Sequence, residues 1–378
     1  MQIRSLERGE AYEAIKDSWN RLVLKQSSGI LQFDVTATYE WAMTLWDTHL
    51  GRKNEQILVL EESGQMKGVI PLYRREKRLR SILCRQISPL YDLYSQRCGF
   101  ILDDPSEETF PLVMNYLLQK VPGWDVFEFT LVDGSRSDTH FKRFVEREKL
   151  RYELVGSEKS PYMQLSPSWS SFSERLTSKF RSNLRSYEKK LRAVGDLKYK
   201  SCHRLDEVEE FLGAMLAIER DSWKETAGTS ITGNPIQEAF YNQFTRVASE
   251  QGWFSGHLLW LGEEPIAYIN GFTFNGCFSS MKTSYKAKYQ KMGTGHLIRM
   301  FALQQLHAEG VKTHDFTGLC EDHKLAWADS SYTRSSYRIY NKSLRTLAIR
   351  ACGKMAAIWR PAESATLTIE EDGLGVPK

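Results

Sequence analysis

The sequence predicts a layered α/β protein in which two tandem copies of one unit each form a mixed central sheet flanked by helices. Three observations predict it. Hydrophobic spacing alternates between a strand period and a helix period along the chain. Two pairs of segments recur in matching order: ILVLEESGQMKGVIPLY at 57–73 with HLLWLGEEPIAYINGF at 257–272, and WDVFEFTLVDG at 124–134 with KTHDFTGLCED at 312–322. With 378 residues, the chain is also long for one hydrophobic core. The expected division is a first unit at 1–165, a second at 166–360 and an acidic, mobile tail at 361–378.

The elements follow in order. Ala11 to Leu24 carries Ile15, Trp19 and Leu22 at helical spacing, and Tyr39 to Leu50 carries Trp41, Leu45 and Trp46. A hairpin follows, with arms Gln56 to Leu60 and Lys67 to Arg74 around Ser63-Gly64. Its second arm is nearly all apolar, which suggests burial on both faces, with Pro71 marking a bulge or irregular position. Strand patches near Arg80 to Ile87 and Arg97 to Leu102 precede a helix at Glu107 to Lys120, a strand at Val126 to Val132 and a short helix at Phe141 to Glu148. The Ser- and Pro-containing stretch from Ser157 to Ser170 reads as the seam between the units. Beyond it, Leu176, Phe180, Leu184, Tyr187 and Leu191 share one face of a helix over Ser173 to Val194, stopped by Gly195. Helices at Asp206 to Trp223, with Asp206 as N-cap, and at Ile236 to Glu250 lead to a second hairpin, Gly256 to Leu261 with Pro265 to Phe274. Asn275-Gly276 is a hairpin turn into strand Cys277 to Tyr285. A helix over His296 to Glu309, a strand at Lys312 to Thr317, and a turn-rich, helical remainder to Arg360 complete the chain.

Composition narrows the function. The formal net charge is only +4, so a basic surface must be local and general polyanion binding is not indicated. The charged start MQIRSLERGEAYEAI is not a secretory signal, and no run of 18 apolar residues predicts a membrane span. The six cysteines are scattered without Cys-x-x-Cys spacing, which speaks against a zinc site or a disulfide framework. A cytoplasmic protein without a metal is expected.

The stretch Gln290-Lys291-Met292-Gly293-Thr294-Gly295-His296 lies between a predicted strand and a predicted helix. The first N–H groups of a helix lack internal partners and carry the positive end of its dipole. Gly293 and Gly295 allow a sharp turn and close approach by a phosphate, and Lys291 adds a mobile charge. This is the pattern of a pyrophosphate cradle; the same pattern also serves as a plain helix-starting turn. The corresponding part of the first unit, Arg85 to Arg97, has no G-x-G, so one unit is expected to bind a cofactor and the other to shape a cleft.

The loop Q-K-M-G-T-G resembles the acyl-CoA loop Q/R-x-x-G-x-G/A of GNAT acyltransferases, as does the order hairpin, strand, Gly loop, helix, strand. The chain further resembles the double-domain CelD/BcsL-type acetyltransferases of exopolysaccharide and cellulose biosynthesis, relatives of the FemABX peptidyltransferases. PLYRREKRLRS, SKFRSNLRSYEKKL and YQKMGTGHLIRMFALQQLHAEGVKTHDFTG followed by HKLAWAD carry that likeness across most of residues 30–345. The resemblance implies an acyl-CoA co-substrate, with acetyl-CoA the expected form. Gln290, Lys291, Met292, Gly293, Thr294, Gly295 and His296 would hold its pyrophosphate, and the strand ending in Ser284 and Tyr285 would pair with its pantetheine. An amine would then attack the thioester directly, a step that needs a neutral amine, an oxyanion donor and an acid for the thiolate.

Asp315, on a strand beside the expected opening of the sheet, is a candidate to orient or deprotonate the amine; capping a loop is its structural alternative. His314 points to the opposite strand face and is expected to be structural. Lys324 matches a lysine near the reacting centre of the FemABX relatives; otherwise it is a solvated lysine. Tyr337, with Tyr332 and Tyr340, is a candidate acid for the thiolate, and Glu321 and Asp322 are alternative bases. The basic residues Arg175, Lys179, Arg181, Arg185, Lys189, Lys190 and Arg192 form either a solvated helix face or a contact for a phosphorylated acceptor, the CoA 3′-phosphate or an anionic membrane. Trp223 and Lys224 start either a substrate loop or a core contact.

The implied function is acyl-CoA-dependent N-acyl transfer to an amino sugar or related precursor of extracellular polysaccharide or the cell envelope. Contact with membrane-associated polysaccharide machinery would place the protein at the inner membrane's inner face. The alternatives are a FemABX-like transferase that draws on aminoacyl-tRNA, which the near-neutral charge argues against, and a non-catalytic partner of a synthesis complex, which the intact loop argues against.

Overall fold

A computed structural model describes residues 1–6, 12–27, 29–31, 33–50, 55–90, 95, 97 and 99–358. The tail from Pro361 lies outside them. In chain order the first half comprises β1 (Gln2–Leu6), α1 (Lys16–Lys25), α2 (Tyr39–Leu45), β2 (Glu55–Glu62), β3 (Gln65–Leu79), β4 (Ile82–Pro89), β5 (Ile101–Leu102), α3 (Thr109–Gln119), β6 (Val126–Val132), α4 (Arg136–Arg147) and β7 (Tyr152–Gln164). The second comprises α5 (Trp169–Arg175), α6 (Ser178–Val194), β8 (Leu197–Cys202), α7 (Val208–Arg220), α8 (Trp223–Thr226), α9 (Pro235–Glu250), β9 (Phe254–Leu261), β10 (Glu264–Phe274), β11 (Cys277–Tyr285), α10 (Thr294–Ala308), β12 (Thr313–Asp315), α11 (Asp322–Leu325), β13 (Ser330–Tyr340) and α12 (Leu344–Ile358).

The strands form a single sheet in the order β1-β2-β3-β4-β6-β13-β7-β12-β11-β10-β9-β8, with β5 added beside β3. Its two ends are copies of each other. In each, four antiparallel strands lead to a parallel pair, β4 with β6 and β11 with β12. The internal repeat read from the sequence is therefore a repeat of topology. The junction is an exchange: β13, late in the chain, pairs with β6 of the first half, while β7 pairs with both β13 and β12 of the second. The stretch expected to be an irregular seam is thus largely the 13-residue strand β7, and the turn-rich C-terminal part contains the 11-residue strand β13.

Local chemistry explains most elements. The turns Ser63-Gly64 and Asn275-Gly276 have positive φ at both residues, as two-residue hairpin turns require. Strand β3 passes through Pro71 in register with Ile57, and its irregularity falls instead between Met66 and Gly68. The expected helix over Ser173 to Val194 is broken at Leu176-Thr177, where the Thr177 side chain accepts the Phe180 N–H and starts α6 afresh. Asp206 is not a cap: it pairs with Arg204, while the Glu207 carboxylate takes the His203 and Arg204 N–H groups.

Three layers of core hold the sheet. One joins α1 and α2 to α7 and α9 across the two halves, with Trp41 edge-on to Phe240 and Phe244. A second packs α3 and α4 on the first half, and a third packs α5, α6 and α10 on the second. A buried ionic link also crosses the halves. Arg97 donates to Asp34 at 3.0 Å, lies 3.4 Å from Asp315, and donates to Cys277 Sγ at 3.4 Å. Burial holds the Asp315 carboxyl above its usual range, against the pull of Arg97.

Replacing Arg97 with Met should strand two buried carboxylates and cost about 3–5 kcal/mol at neutral pH. The folded state then holds protons on those carboxyls more tightly than the unfolded state, so the deficit should shrink as pH falls. Urea titrations across pH check this; an R97M deficit that is small or independent of pH would show that the link is not stabilising.

Candidate active site

Strand β11 and strand β12 run parallel for only three residue pairs, ending at Ser279 opposite Asp315. Beyond them the chain turns away through two residues of positive φ, Thr317 and Gly318. Asp315 Oδ1 accepts the Thr317 N–H at 2.8 Å, and the Thr317 hydroxyl donates to the Ser280 carbonyl at 2.8 Å. On its other side β11 carries a bulge: Asn270 faces Lys282 and Gly271 faces Ser280, so Met281 has no ladder partner. The far half of β11 thus borders an opening in the sheet.

That opening is a cavity of about 680 Å³, lined by β11, the loop before α10, α10 itself, and the segment from Phe316 to Lys324. Every lining residue lies between Tyr187 and Lys324. The first half therefore does not shape the cavity, contrary to the sequence expectation; it supports the floor through Arg97 and Asp315.

Of the nine residues expected to bind the acyl donor, Tyr285, Gln290, Lys291, Gly293, Gly295 and His296 line the cavity. Ser284 is buried on the other side of the strand, Met292 packs into the core, and the Thr294 hydroxyl donates to the Tyr289 carbonyl at 2.8 Å. Gly293 is left-handed at φ +68°, and a Cβ there would lie 2.3 Å from the Tyr187 ring of α6. Glycine is thus required here by backbone and by contact. The Gly293 N–H donates to Gln290 and the His296 N–H to Gly293. Thr294 and Gly295, in the first turn of α10, have no acceptor within the helix; Thr294 is fully buried and off the cavity wall, so Gly295 supplies the free N–H that faces the cavity. The cradle is narrower than the 291–296 span read from the sequence.

The three catalytic expectations fare differently. Lys324 lines the cavity, but its ammonium donates to the Thr317 and Leu319 carbonyls at 3.0 and 3.2 Å and pairs with Glu321 at 2.9 Å. With all three donors engaged, it pins the turn that opens the sheet. Asp315 is fully buried, held by Arg97, the Thr317 N–H and the Tyr332 hydroxyl at 3.0 Å, and is absent from the cavity wall. Its role as a base for the amine is corrected to that of a turn and interface residue. Tyr337 is in the first-half core, donating to Asp138 at 3.1 Å, and Tyr340 bonds Glu153, so neither serves the cavity as an acid. Lining phenols come from Tyr187 and Tyr285 instead. His314 is structural as expected, stacked on Phe316 with centroids 4.2 Å apart. Glu321 lines the cavity and Asp322 does not.

Sequence reasoning missed Lys282, Arg299 and His323 and gave Tyr187 only a packing role; all four line the cavity. A basic residue on the buried face of the helix after the Gly loop was the one available signal, and it belongs to Arg299. Five cations, Lys224, Lys282, Lys291, Arg299 and Lys324, face one carboxylate, Glu321. Lys224, beside the exposed Trp223, is itself in the wall and donates to the Thr283 carbonyl at 2.6 Å. Burial and the charge of Lys224 lower Lys282 to about 8. The Trp327 indole N–H donates to His296 Nδ1 at 3.1 Å, and burial with nearby Arg299 lowers His296 to about 4. His296 is therefore neutral at physiological pH with its proton on Nε2. Among the described residues no cluster of His, Cys, Asp and Glu could hold a metal ion, and no helix is long and apolar enough to cross a membrane.

A strand edge freed by a splay, leading into the N-terminus of a Gly-started helix, defines the acyltransferase class. By sequence, residues 178–325 match the family described as acetyltransferase (GNAT) domain. No curated protein matches the chain significantly. Among solved structures, FemX superposes with a TM-score of 0.62 over 92% of this chain and 100% of its own, at 12% identity. A conserved protein of unknown function from Bacteroides thetaiotaomicron gives a TM-score of 0.56 over 89% of this chain and 100% of its own, also at 12% identity. At such identity the likeness is one of fold, and it extends across both halves.

An anion bound in this cavity should raise the pKa of Lys282. Titrating acetyl-CoA near pH 8 in buffers of different ionisation enthalpy should therefore show proton uptake, and Lys282→Met should abolish it. Uptake that survives in K282M would assign the proton to another group.

Proposed function

We propose that the protein is an acyl-CoA-dependent N-acyltransferase, with acetyl-CoA as donor and an amino sugar or related polysaccharide or envelope precursor as acceptor. The observation that carries this reading is the continuity, within one cavity, of the free β11 edge, the Gly293–Gly295 turn and the first turn of α10. Bound there, the donor supplies an acyl thioester carbonyl. The residues present fit it: the Gly295 N–H at the start of α10 with Gln290 and Lys291 suits a pyrophosphate, and the β11 edge from Met281 to Tyr285 suits a chain of amides.

The protein's own groups then have separable tasks. His296, locked as an Nε2 donor by Trp327, offers a neutral hydrogen bond beside the cradle. His323, lowered below the usual histidine range by burial and by Arg299, is a neutral base able to take a proton from an ammonium acceptor. Tyr285, raised by burial, keeps its proton and can donate it to a departing thiolate. The amino-sugar acceptor and the link to polysaccharide machinery at the membrane rest on the resemblance to the CelD/BcsL-type enzymes.

A second reading has its own support. The whole-chain likeness to FemX and the cation-rich cavity suit an aminoacyl-tRNA donor as well. Retention on a CoA resin against retention on immobilised tRNA separates the two.

Gly295→Glu tests the cradle without disturbing the left-handed turn, because a Cβ at 295 meets only the Tyr285 ring edge at 3.0 Å. The new carboxylate would compete for the same N–H. Calorimetry should show acetyl-CoA binding to the wild type and at least a tenfold loss in G295E, about 1.4 kcal/mol. Equal affinity in both proteins would remove the cradle from the reading, and absence of binding to the wild type would remove the donor.

A further inference from the structure

Arg299 stands apart from the other cations of the cavity. It lies on the buried face of α10 and is only 3% exposed, yet it lines the cavity wall. Its Nη1 has no hydrogen-bond partner. Among the described residues no carboxylate compensates it, and burial alone lowers its pKa to about 10. Its guanidinium rests over the Phe316 ring, 4.9 Å from the centroid, which orients the fork without satisfying its donors. Its neighbours cannot serve it either. Lys224 and Lys324 are cations with no acceptor to offer a guanidinium, and Glu321 is paired with Lys324.

An uncompensated buried guanidinium costs several kcal/mol unless something pairs with it. Among the described residues nothing does so, and apart from its stacking on Phe316 no hydrogen bond or ion pair ties Arg299 to a turn or cap. Its planar fork matches a carboxylate or a phosphate in bidentate fashion. We infer that Arg299 is the receptor for an anionic group of the acceptor, so that the amine accepted by this enzyme belongs to a phosphorylated or carboxylated molecule.

The acceptor is favoured over the donor as the source of that anion by position. The free N–H that suits a pyrophosphate is at Gly295, with Lys291 on the exposed side of the loop. Arg299 is more than a turn further along α10, against Phe316, on the side of the splay formed by the 316–324 segment. That segment also carries His323, whose pKa responds to Arg299 and which the proposed function makes the proton acceptor for the amine. An anion held by Arg299 would therefore tether the amine on the side where the base stands. The inference rests on the acyl-transfer reading for the word acceptor; the anion site itself rests on Arg299 alone.

Arg299→Met keeps the volume and removes the charge. Four measurements on the full chain decide the matter. First, without ligand, R299M should melt higher than the wild type, because an unpaired buried charge is removed; a marked fall would make Arg299 structural and overturn the proposal. Second, inorganic phosphate, tested in the G295E background so that the cradle is blocked, should raise the melting temperature with Arg299 present and not with Met; equal responses would also overturn it. This arm uses no CoA, so it stands or falls apart from the proposed function. Third, acetyl-CoA affinity should be the same in wild type and R299M, and loss of it would assign Arg299 to the donor's phosphates instead. With thiol release as readout, glucosamine 6-phosphate against glucosamine, and glycine against glycinamide, form matched pairs. In at least one pair the anionic member should be preferred by the wild type, and the ratio of kcat/KM for the anionic over the neutral member should fall roughly thirtyfold or more in R299M, a ratio that any shift in the shared base His323 leaves unchanged. Acylation of neutral members only, unchanged in R299M, would refute an anionic acceptor.

Discussion

The parallel ladder between β11 and β12 ends after three residue pairs, and the rest of the site depends on that ending. A parallel pair that continued would use the β11 edge for the sheet and leave no cavity. The turn that ends it is expensive in conformation because Thr317, a β-branched residue, sits at positive φ ahead of Gly318, and it is held by three local devices. Asp315 takes the Thr317 N–H, Thr317 bonds back to the Ser280 carbonyl, and Lys324 gathers the Thr317 and Leu319 carbonyls. The DFTG run at 315–318 and Lys324, which helped carry the family resemblance, are thus the hardware of an opening in a sheet.

Asp315 does a second task that ties the site to the whole fold. Its other carboxylate oxygen faces Arg97, which also holds Asp34 of the first half. The floor of the opening is therefore anchored in the neighbouring unit, while the walls come from the second alone. This division accounts for a doubled unit whose large cavity belongs to one copy. The first copy keeps the topology, including its own parallel pair of β4 and β6, and contributes support.

The electrostatics of the cavity follow from the same geometry. Cations from α8, β11, α10 and the turn converge with a single carboxylate among them, and their mutual repulsion and burial lower Lys224, Lys282 and His323. A cavity so arranged is poised for anions. The aromatic packing of Phe180 and Trp327 around His296 keeps that residue neutral and fixed, so the cradle has a donor that does not depend on pH in the physiological range.

Much of this was legible in the residues. The two hairpins, the Asn275-Gly276 turn, the Gly loop and its helix, and the doubled order of segments were all readable, because each is governed by local backbone chemistry or by an apolar period. Strands β7 and β13 were not. Both are rich in Ser, Tyr and charged residues, their partners lie far off in sequence, and much of their stability comes from each other, so neither shows a hydrophobic alternation on its own. The catalytic expectations for Asp315 and Tyr337 failed for a related reason: a residue type and a strand position give a side of the sheet, while the partner that claims the side chain comes from another part of the chain.

What the sequence by itself determined was the unit and its loop: glycine at 293 where φ is positive, the turn types, and the helix that begins beyond them. What only the tertiary structure decided was which polar side chains are spent and which are free. Lys324 and Asp315 are consumed by neighbours that no local pattern reveals, and Arg299, on a helix face that periodicity assigns to the core, has a buried Nη1 with no hydrogen-bond partner among the described residues. Hydrogen-bond satisfaction is a property of packed three-dimensional surroundings, and periodicity reports only which face of an element is covered.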